Sequence, residues 1–211
     1  MTSASASLST QAPTTLARWL APAGLLLGLA VIVGARWWAT IAGADALWIG
    51  TMFGLSLAAL VLIARSATSA AAFRPLAVAK AIAIGAAFGL ALVGIVVVGS
   101  AISGTSVPAG MGRPAAPFFP WAAITILVAG AEEALLRGRL FDATRRAGGV
   151  VTAVLLTTVA FALMHVPLYG WHVVPLDLAV GLGLAGLRLA TGGVLAPAVS
   201  HAVADLATWW L

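Results

Sequence analysis

Six ionisable side chains of the kinds that hydrolytic enzymes use occur in the second half of a chain that is otherwise strongly apolar. They form three short clusters, and each cluster lies within or near the end of a long hydrophobic run. Ionisable groups inside apolar membrane segments are costly to bury and usually have a function. The candidate site residues are Glu132, Glu133, Arg137, His165, His201 and Asp205.

The spacing within two of these clusters places side chains on a common helix face. Glu133 and Arg137 are four residues apart, so on a helix they share one face and can pair. His201 and Asp205 have the same spacing and can also share a face. The sequence therefore predicts two local pairs, each spanning about one helical turn.

Carboxylates beside imidazoles have a direct use in hydrolysis. Burial disfavours the ionised form of a carboxyl group and a nearby cation favours it, so the two effects together can poise a buried glutamate as a general base for water. Histidine and a polar side chain can stabilise the oxyanion of a tetrahedral intermediate.

The same residue types allow a metal-dependent alternative. Glu132, His165 and His201 could bind a divalent metal such as Zn²⁺ and leave one position open for water. The HExxH signature of zinc proteases is absent from the sequence. The residues leave metal-free and metal-dependent hydrolysis open, and they indicate no other cofactor.

Composition indicates that the lipid bilayer is the solvent for most of the chain. Of its 211 residues, 62% are hydrophobic and 8% are charged, whereas soluble domains have about 25% charged residues. We therefore predict an all-α fold, a polytopic transmembrane helical bundle with about seven spans. The basic residues behind the net charge of +5 lie between apolar runs. Membrane orientation explains this charge, so we expect no nucleic-acid partner.

The chain divides into an N-terminal tail and one membrane bundle. Residues 1–18 are rich in Ser, Thr and Ala and are expected to be disordered, and residues 19–211 form the bundle. The first span could alternatively be a signal peptide that is cleaved off, because Ala42-Gly43-Ala44 resembles a cleavage site with small residues. The predicted spans are residues 19–38, 46–64, 76–100, 117–140, 149–168, 173–190 and 193–210.

The fourth and fifth spans should be antiparallel around a turn at Gly148-Gly149. Glu132 lies about sixteen residues before this turn and His165 about sixteen residues after it, so at 1.5 Å per residue both lie about 24 Å from the turn. The sequence therefore predicts that these two side chains face each other within the membrane, with Phe161 packed one turn before His165.

The distribution of basic residues predicts a cytoplasmic N-terminus. With seven spans, nine basic residues fall on the cytoplasmic side, and only Arg36 and Arg113 fall outside. Asp142 is expected to be a solvated partner of Arg145 or Arg146. The small size, short loops and Ala/Gly-rich composition suggest an integral protein of a bacterial plasma membrane.

The sequence also predicts the location or packing of several residues outside the candidate site. Gly85, Gly89 and Gly94 could form a close helix-packing face, although glycine is generally frequent in membrane helices. His172 is expected in an external turn, and Asp177 and Arg188 are expected near the membrane interface.

The three clusters together form a specific pattern. Residues 132–137 read EExxxR, residues 161–165 read FxxxH, and residues 201–205 read HxxxD. In this order, on successive hydrophobic spans, they resemble the three motifs of the CPBP family of intramembrane proteases, which includes CAAX prenyl proteases and bacterial relatives. The resembling core covers about residues 117–211.

The resemblance implies an intramembrane endopeptidase that cleaves a membrane-associated or lipid-modified peptide or protein. By that analogy Glu132 activates the water and His165 helps to hold it, while His201 and residue 205 form the oxyanion site. Glu133 and Arg137 would support them. Members of the family often have Asn where this chain has Asp205. An ionised carboxylate repels an oxyanion, so Asp205 must be protonated, orient His201 or assist a metal.

Two other classes of protein compete with the protease hypothesis. A proton-coupled transporter could use the same buried carboxylates and histidines, but it should show broken helices in two matching halves. The polar residues of this chain lie only in the second half, which favours the enzyme. A catalytically silent relative could instead bind a partner, for example to confer immunity to a peptide toxin.

Overall fold

The computed structural model describes residues 14–64, 75–104 and 116–211, and these residues are almost entirely helical, with no strand among them. This confirms the all-α prediction. Residues 1–13 of the predicted tail lie outside the described residues, and the first helix begins four residues before the predicted bundle. The elements are α1 (Thr15–Ile41), α2 (Ala46–Ile63), α3 (Pro75–Ser103), α4 (Phe118–Glu133), a π-helical segment (Ala134–Leu140), α5 (Phe141–Tyr169), a 3₁₀ turn (Trp171–Val173), α6 (Val174–Thr191) and α7 (Leu195–Ala207).

Five helical stretches of the described residues are long and apolar enough to cross a membrane. One of them, Phe118–Tyr169, has 52 residues, about twice the length that a bilayer needs. It runs through α4, the π-helical segment and α5, and it covers the predicted fourth and fifth spans. Helix α7 is apolar but has only 13 residues. The chain is thus an integral membrane protein, and the count of about seven spans is approximate.

The longest of these stretches folds back on itself at Gly149. This residue has a φ of 86°, a left-handed conformation that glycine adopts without steric cost. A straight helix would separate Arg137 from Phe161 by about 36 Å at 1.5 Å per residue. The Arg137 guanidinium carbon nevertheless lies 4.6 Å from the centre of the Phe161 ring. The two limbs are therefore antiparallel, as the Gly148-Gly149 pair predicts.

Helices α3 and α7 approach closely through two glycines. A Cβ at Gly85 would meet the carbonyl oxygen of Ala196, and a Cβ at Gly89 would lie 2.6 Å from the carbonyl oxygen of Ser200. Both contacts advance by four residues, so the helices run in the same direction. No described atom lies within 4 Å of a Cβ built at Gly94. The predicted packing face is therefore confirmed at the first two glycines only.

The buried core joins α1 and α2 to the second half of the chain. Leu25 of α1, Leu57 of α2, Leu135 and Leu136 of the π-helical segment and Phe161 of α5 belong to one cluster of packed side chains. In lipid, such packing is held by van der Waals contact rather than by exclusion of water. The first two helices therefore pack against the π-helical segment and help to hold it in place.

The partner of Asp142 differs from the expected one. Its Oδ1 lies 3.2 Å from Nη2 of Arg188, whereas Arg145 and Arg146 are exposed. The reason is that α6 packs along α5 and brings Arg188 to Asp142 across 46 residues of sequence. Spacing along a single helix cannot indicate a pair of this kind.

Candidate active site

Glu133 and Arg137 form a fully buried ion pair. Their side chains are 0% exposed, and Nη1 of Arg137 lies 2.7 Å from Oε1 of Glu133, which confirms the predicted pairing. Nη2 of Arg137 donates to the carbonyl oxygen of Gly181 at 3.2 Å. A buried ion pair needs further hydrogen bonds to offset its loss of hydration. Through Arg137 this pair thus connects α4 to α6, and both side chains are held in one conformation.

The π-helical segment begins directly after Glu133 and contains Arg137. Short π-helical segments are rare and often occur at functional sites. The carbonyl oxygen of Arg137 accepts a hydrogen bond from Nε of Arg188 at 2.9 Å, so α6 stabilises the segment from outside. The sequence predicted an ordinary helix here, because nothing in the residue pattern separates π-helical from α-helical hydrogen bonding.

His201 contacts the glutamate pair through both of its ring nitrogens. Nδ1 lies 3.1 Å from Oε1 of Glu133, an oxygen that already accepts from Arg137. Nε2 lies 3.7 Å from Oε2 of Glu132 and 3.5 Å from Oδ2 of Asp205. The buried ion pair thus holds one side of the ring, and the other side is directed at two carboxylates. The predicted contact between His201 and Asp205 is therefore confirmed.

His165 is held by its own helix and by α6. Its Nδ1 lies 3.0 Å from the carbonyl oxygen of Phe161 and 3.4 Å from Oδ2 of Asp177. Because a carbonyl oxygen can only accept, the proton of this hydrogen bond lies on Nδ1. The nitrogen that remains available to a ligand is Nε2.

Phe161 packs at the centre of the site. Its ring centroid is 4.8 Å from that of His165 and 5.4 Å from that of His201, in both cases edge to face. The Arg137 guanidinium lies over the same ring. The predicted contact with His165 is thus confirmed, and Phe161 also contacts Arg137 of the buried ion pair and the ring of His201. A single aromatic side chain therefore contacts residues of all three motifs.

A cavity of about 530 Å³ lies over this cluster, within the range of about 300–1,000 Å³ typical of ligand pockets. Glu132, His165, His201 and Asp205 line it, whereas Glu133 and Arg137 do not. The two adjacent glutamates therefore have different environments. Glu132 faces the cavity beside an imidazole, and Glu133 lies behind it in the ion pair.

Further polar residues that the sequence did not place in the site line the cavity, among them Arg36, Tyr169 and Asp177. The ring of Tyr169 lies 5.9 Å from that of His165. Asp177 is an ionisable residue in an apolar run, so the rule that found the other candidates could have found it. His172, expected in an external turn, lies in the exposed 3₁₀ turn and also lines the cavity.

The fit of a metal can be tested against this arrangement. Among the residues that the structure describes, no group of three or more His, Asp or Glu side chains is arranged to hold a metal ion. Glu133 is held in the ion pair with Arg137, so Glu132 is the carboxylate of the adjacent pair that lines the cavity. In this arrangement the described residues therefore do not fit a metal ion.

Helices long enough to cross a membrane carry a buried carboxylate–histidine cluster beside a cavity, which is an arrangement that an intramembrane hydrolase needs. The family model described as "Type II CAAX prenyl endopeptidase Rce1-like" matches residues 114–207. The match covers somewhat less than half of the chain and includes all three motifs. It confirms the resemblance to the CPBP family and identifies a CAAX-type endopeptidase, a peptide hydrolase. No curated protein and no solved structure matched the chain.

Proposed function

We propose that this protein hydrolyses a peptide bond in a membrane-associated or lipid-modified peptide or protein, with Glu132 as the general base for water. One observation carries the assignment. Of the two adjacent glutamates, Glu132 lines the cavity, whereas Glu133 is engaged in the buried ion pair. A general base must be within reach of the water that it deprotonates.

The two histidines then have separate tasks. His165 lines the cavity and carries its proton on Nδ1, so Nε2 of the neutral ring can accept a hydrogen bond from the attacking water. His201 donates from Nδ1 to Glu133. When its second nitrogen is also protonated, Nε2–H can donate to the oxyanion that forms as the water attacks. Glu133 and Arg137 are positioning residues that hold the His201 ring in this orientation.

Asp205 is better placed to orient His201 than to bind an oxyanion. Its Oδ2 lies 3.5 Å from Nε2 of His201, and its side chain is 43% exposed. A carboxylate there can accept from Nε2–H before the substrate arrives, whereas an ionised carboxylate would repel the oxyanion itself. Residue 205 therefore sets the direction of the imidazole.

We further propose that the protein lies in a bacterial plasma membrane, with its N-terminus in the cytoplasm. The exposed basic residues Arg18, Arg145 and Arg146 lie at the end of the bundle where Trp19 contacts Gly148. Basic residues are enriched on the cytoplasmic side. The cavity extends toward the other end, where Arg36 and Trp121 line it. Peptide substrates would then enter from the extracytoplasmic side.

The experiment is cleavage of a library of membrane peptides, with and without lipid modification, by the purified protein in lipid vesicles. The wild type should cleave some of them, Glu132→Gln should cleave none, and Asp45→Asn should cleave as the wild type does. Asp45 is an exposed residue that caps α2 through a hydrogen bond to the Trp48 amide, and Asn caps as well as Asp. Cleavage by Glu132→Gln at the wild-type rate would overturn the assignment.

A chelator tests the metal alternative in the same assay. We expect cleavage to persist after the protein is treated with a strong divalent-metal chelator. Loss of cleavage that added Zn²⁺ restores would favour a site made by Glu132, His165 and His201. If the wild type cleaves no peptide of the library, a catalytically silent partner or immunity protein becomes the better interpretation.

A further inference from the structure

A second cavity, of about 340 Å³, lies between α1, α2 and the junction of the π-helical segment with α5. It shares no lining residue with the cavity over the candidate active site. The walls that α1 and α2 contribute are apolar, whereas the π-helical segment and α5 contribute two arginines, Arg139 and Arg146. The cavity therefore has an aliphatic part and a cationic part.

Neither arginine has a counter-ion within the described part of the chain. All six acidic residues of the sequence are described, and none of them forms an ion pair with Arg139 or Arg146. Asp142 also lines the cavity, but Nη2 of Arg188 lies 3.2 Å from its Oδ1 and offsets its charge. Arg139 is half-buried, and a cation that is partly removed from water is costly without a counter-charge. The cavity therefore favours an anionic ligand.

The apolar part of the cavity opens toward the lipid. Leu20 of α1 and Ile63 of α2 line it, and both are exposed on helices that are long enough to cross the membrane. Gly24 lines it as well, and no described atom lies within 4 Å of a Cβ built there. The space beside Gly24 is thus open, and an aliphatic chain can occupy it with van der Waals contact on both helices.

The cationic part lies near the level of the lipid headgroups. The chain turns back at Gly149, three residues beyond Arg146. A Cβ built at the neighbouring Gly148 would lie 2.8 Å from the indole of Trp19, and tryptophan prefers the membrane interface. Basic pockets between membrane helices at this level bind the headgroups of anionic lipids.

We propose that this cavity binds an anionic phospholipid, with its phosphate between Arg139 and Arg146 and one acyl chain in the apolar part beside Gly24. Arginine suits this task because its planar fork binds two phosphate oxygens at once. Arg139 belongs to the π-helical segment that also contains Arg137. A bound lipid would therefore stabilise the segment that carries the buried ion pair. The inference does not depend on the proposed peptidase function.

The test measures the binding of two lipids with identical acyl chains to the purified protein in detergent, by native mass spectrometry. The lipids are anionic phosphatidylglycerol and zwitterionic phosphatidylcholine, whose choline cation opposes the arginines. For the wild type we expect a dissociation constant about ten- to a hundredfold lower for phosphatidylglycerol, as for one charged hydrogen bond. Arg146→Gln should remove most of this preference. Arg145→Gln, which removes an equal charge from an exposed arginine outside the cavity, should keep it.

Gly24→Leu tests the acyl-chain part of the cavity. The new side chain fills the open space without a change of charge, so we expect it to weaken the binding of both lipids. Gly34→Leu is the control on the same helix, because its Cβ also meets no described atom and Gly34 lines neither cavity. It should bind both lipids as the wild type does.

Several results would overturn the inference. Equal affinity of the wild type for the two lipids would show that the arginines select no anion. Equal losses in Arg145→Gln and Arg146→Gln would indicate a diffuse surface charge rather than a site. Displacement of phosphatidylglycerol by inorganic phosphate at equal concentration would indicate a site for a free anion. A change of oligomeric mass in Gly24→Leu with lipid binding intact would indicate that a second copy of the chain covers the cavity.

Discussion

His201 and Glu133 are 68 residues apart in sequence, yet Nδ1 of the histidine lies 3.1 Å from Oε1 of the glutamate. The same oxygen accepts from Arg137 at 2.7 Å. The third motif is therefore oriented by the first, through a carboxylate that does not face the cavity. This relationship distinguishes residues that hold the site in place, such as Glu133, from residues that line the cavity, such as Glu132.

Removal of the charge at Glu133 should destabilise the fold strongly. The Glu133→Gln variant leaves Arg137 buried without its counter-ion, and breaking a buried ion pair typically costs about 3–5 kcal/mol. The free energy of unfolding, measured in detergent micelles, checks this. Asp142→Asn is the matched control, because the Asp142 side chain is 34% exposed and such pairs contribute about 0–1 kcal/mol. An equal decrease in the free energy of unfolding in the two variants would contradict the role of Glu133 as the buried counter-ion of Arg137.

Closer packing between α3 and α7 should disturb the site from a distance. Gly89→Ala places a Cβ 2.6 Å from the carbonyl oxygen of Ser200, next to His201, and overpacking of this kind typically costs about 1–3 kcal/mol. We expect both thermal stability and the rate of peptide cleavage to fall. Gly94→Ala is the control, since no described atom lies within 4 Å of its Cβ. Wild-type behaviour of Gly89→Ala would show that the helices have room to separate.

Asp205→Asn should keep the protein active, with a kcat equal to or up to about tenfold above that of the wild type. The amide can still contact Nε2 of His201, and it removes a negative charge that opposes the oxyanion. Asp205→Leu, which has no polar atom to orient the ring, should lower kcat. A fall in kcat of more than about tenfold in Asp205→Asn would mean that the carboxylate charge itself is needed.

Labelling of single cysteines can test the proposed orientation, because the chain contains no cysteine of its own. Trp171→Cys places a thiol at a site where the native side chain is 72% exposed, at the cavity end of the bundle. Ala147→Cys places one beside the Gly148-Gly149 turn. A membrane-impermeant maleimide should label the first in intact cells and the second only after lysis. The reverse pattern would place the cavity mouth in the cytoplasm.

The local features of the fold could be predicted from the sequence. The turn at Gly148-Gly149 and the Glu133–Arg137 pair each depend on residues close together in the chain, where helical spacing and glycine conformation decide the structure. The antiparallel limbs then bring Glu132 and His165 to the same cavity, as the equal distances from the turn predicted.

The features that the sequence could not predict depend on contacts between distant helices. The partners of Asp142 and His165 both come from α6, and no spacing rule links them. The π-helical segment is stabilised by Arg188 through the carbonyl oxygen of Arg137, a contact that exists only after α6 has packed. The place of Arg36 in the cavity wall likewise depends on how α1 meets the second half of the chain.

The most direct test of the account separates binding from chemistry at Glu132. A peptide that the wild type cleaves is bound at saturation in vesicles, and the single-turnover rate of Glu132→Gln is compared with that of the wild type. Loss of a general base should slow hydrolysis by about 10²–10⁴-fold, while the dissociation constant and the melting temperature stay near those of the wild type. A single-turnover rate equal to that of the wild type would contradict the central claim that Glu132 activates the water.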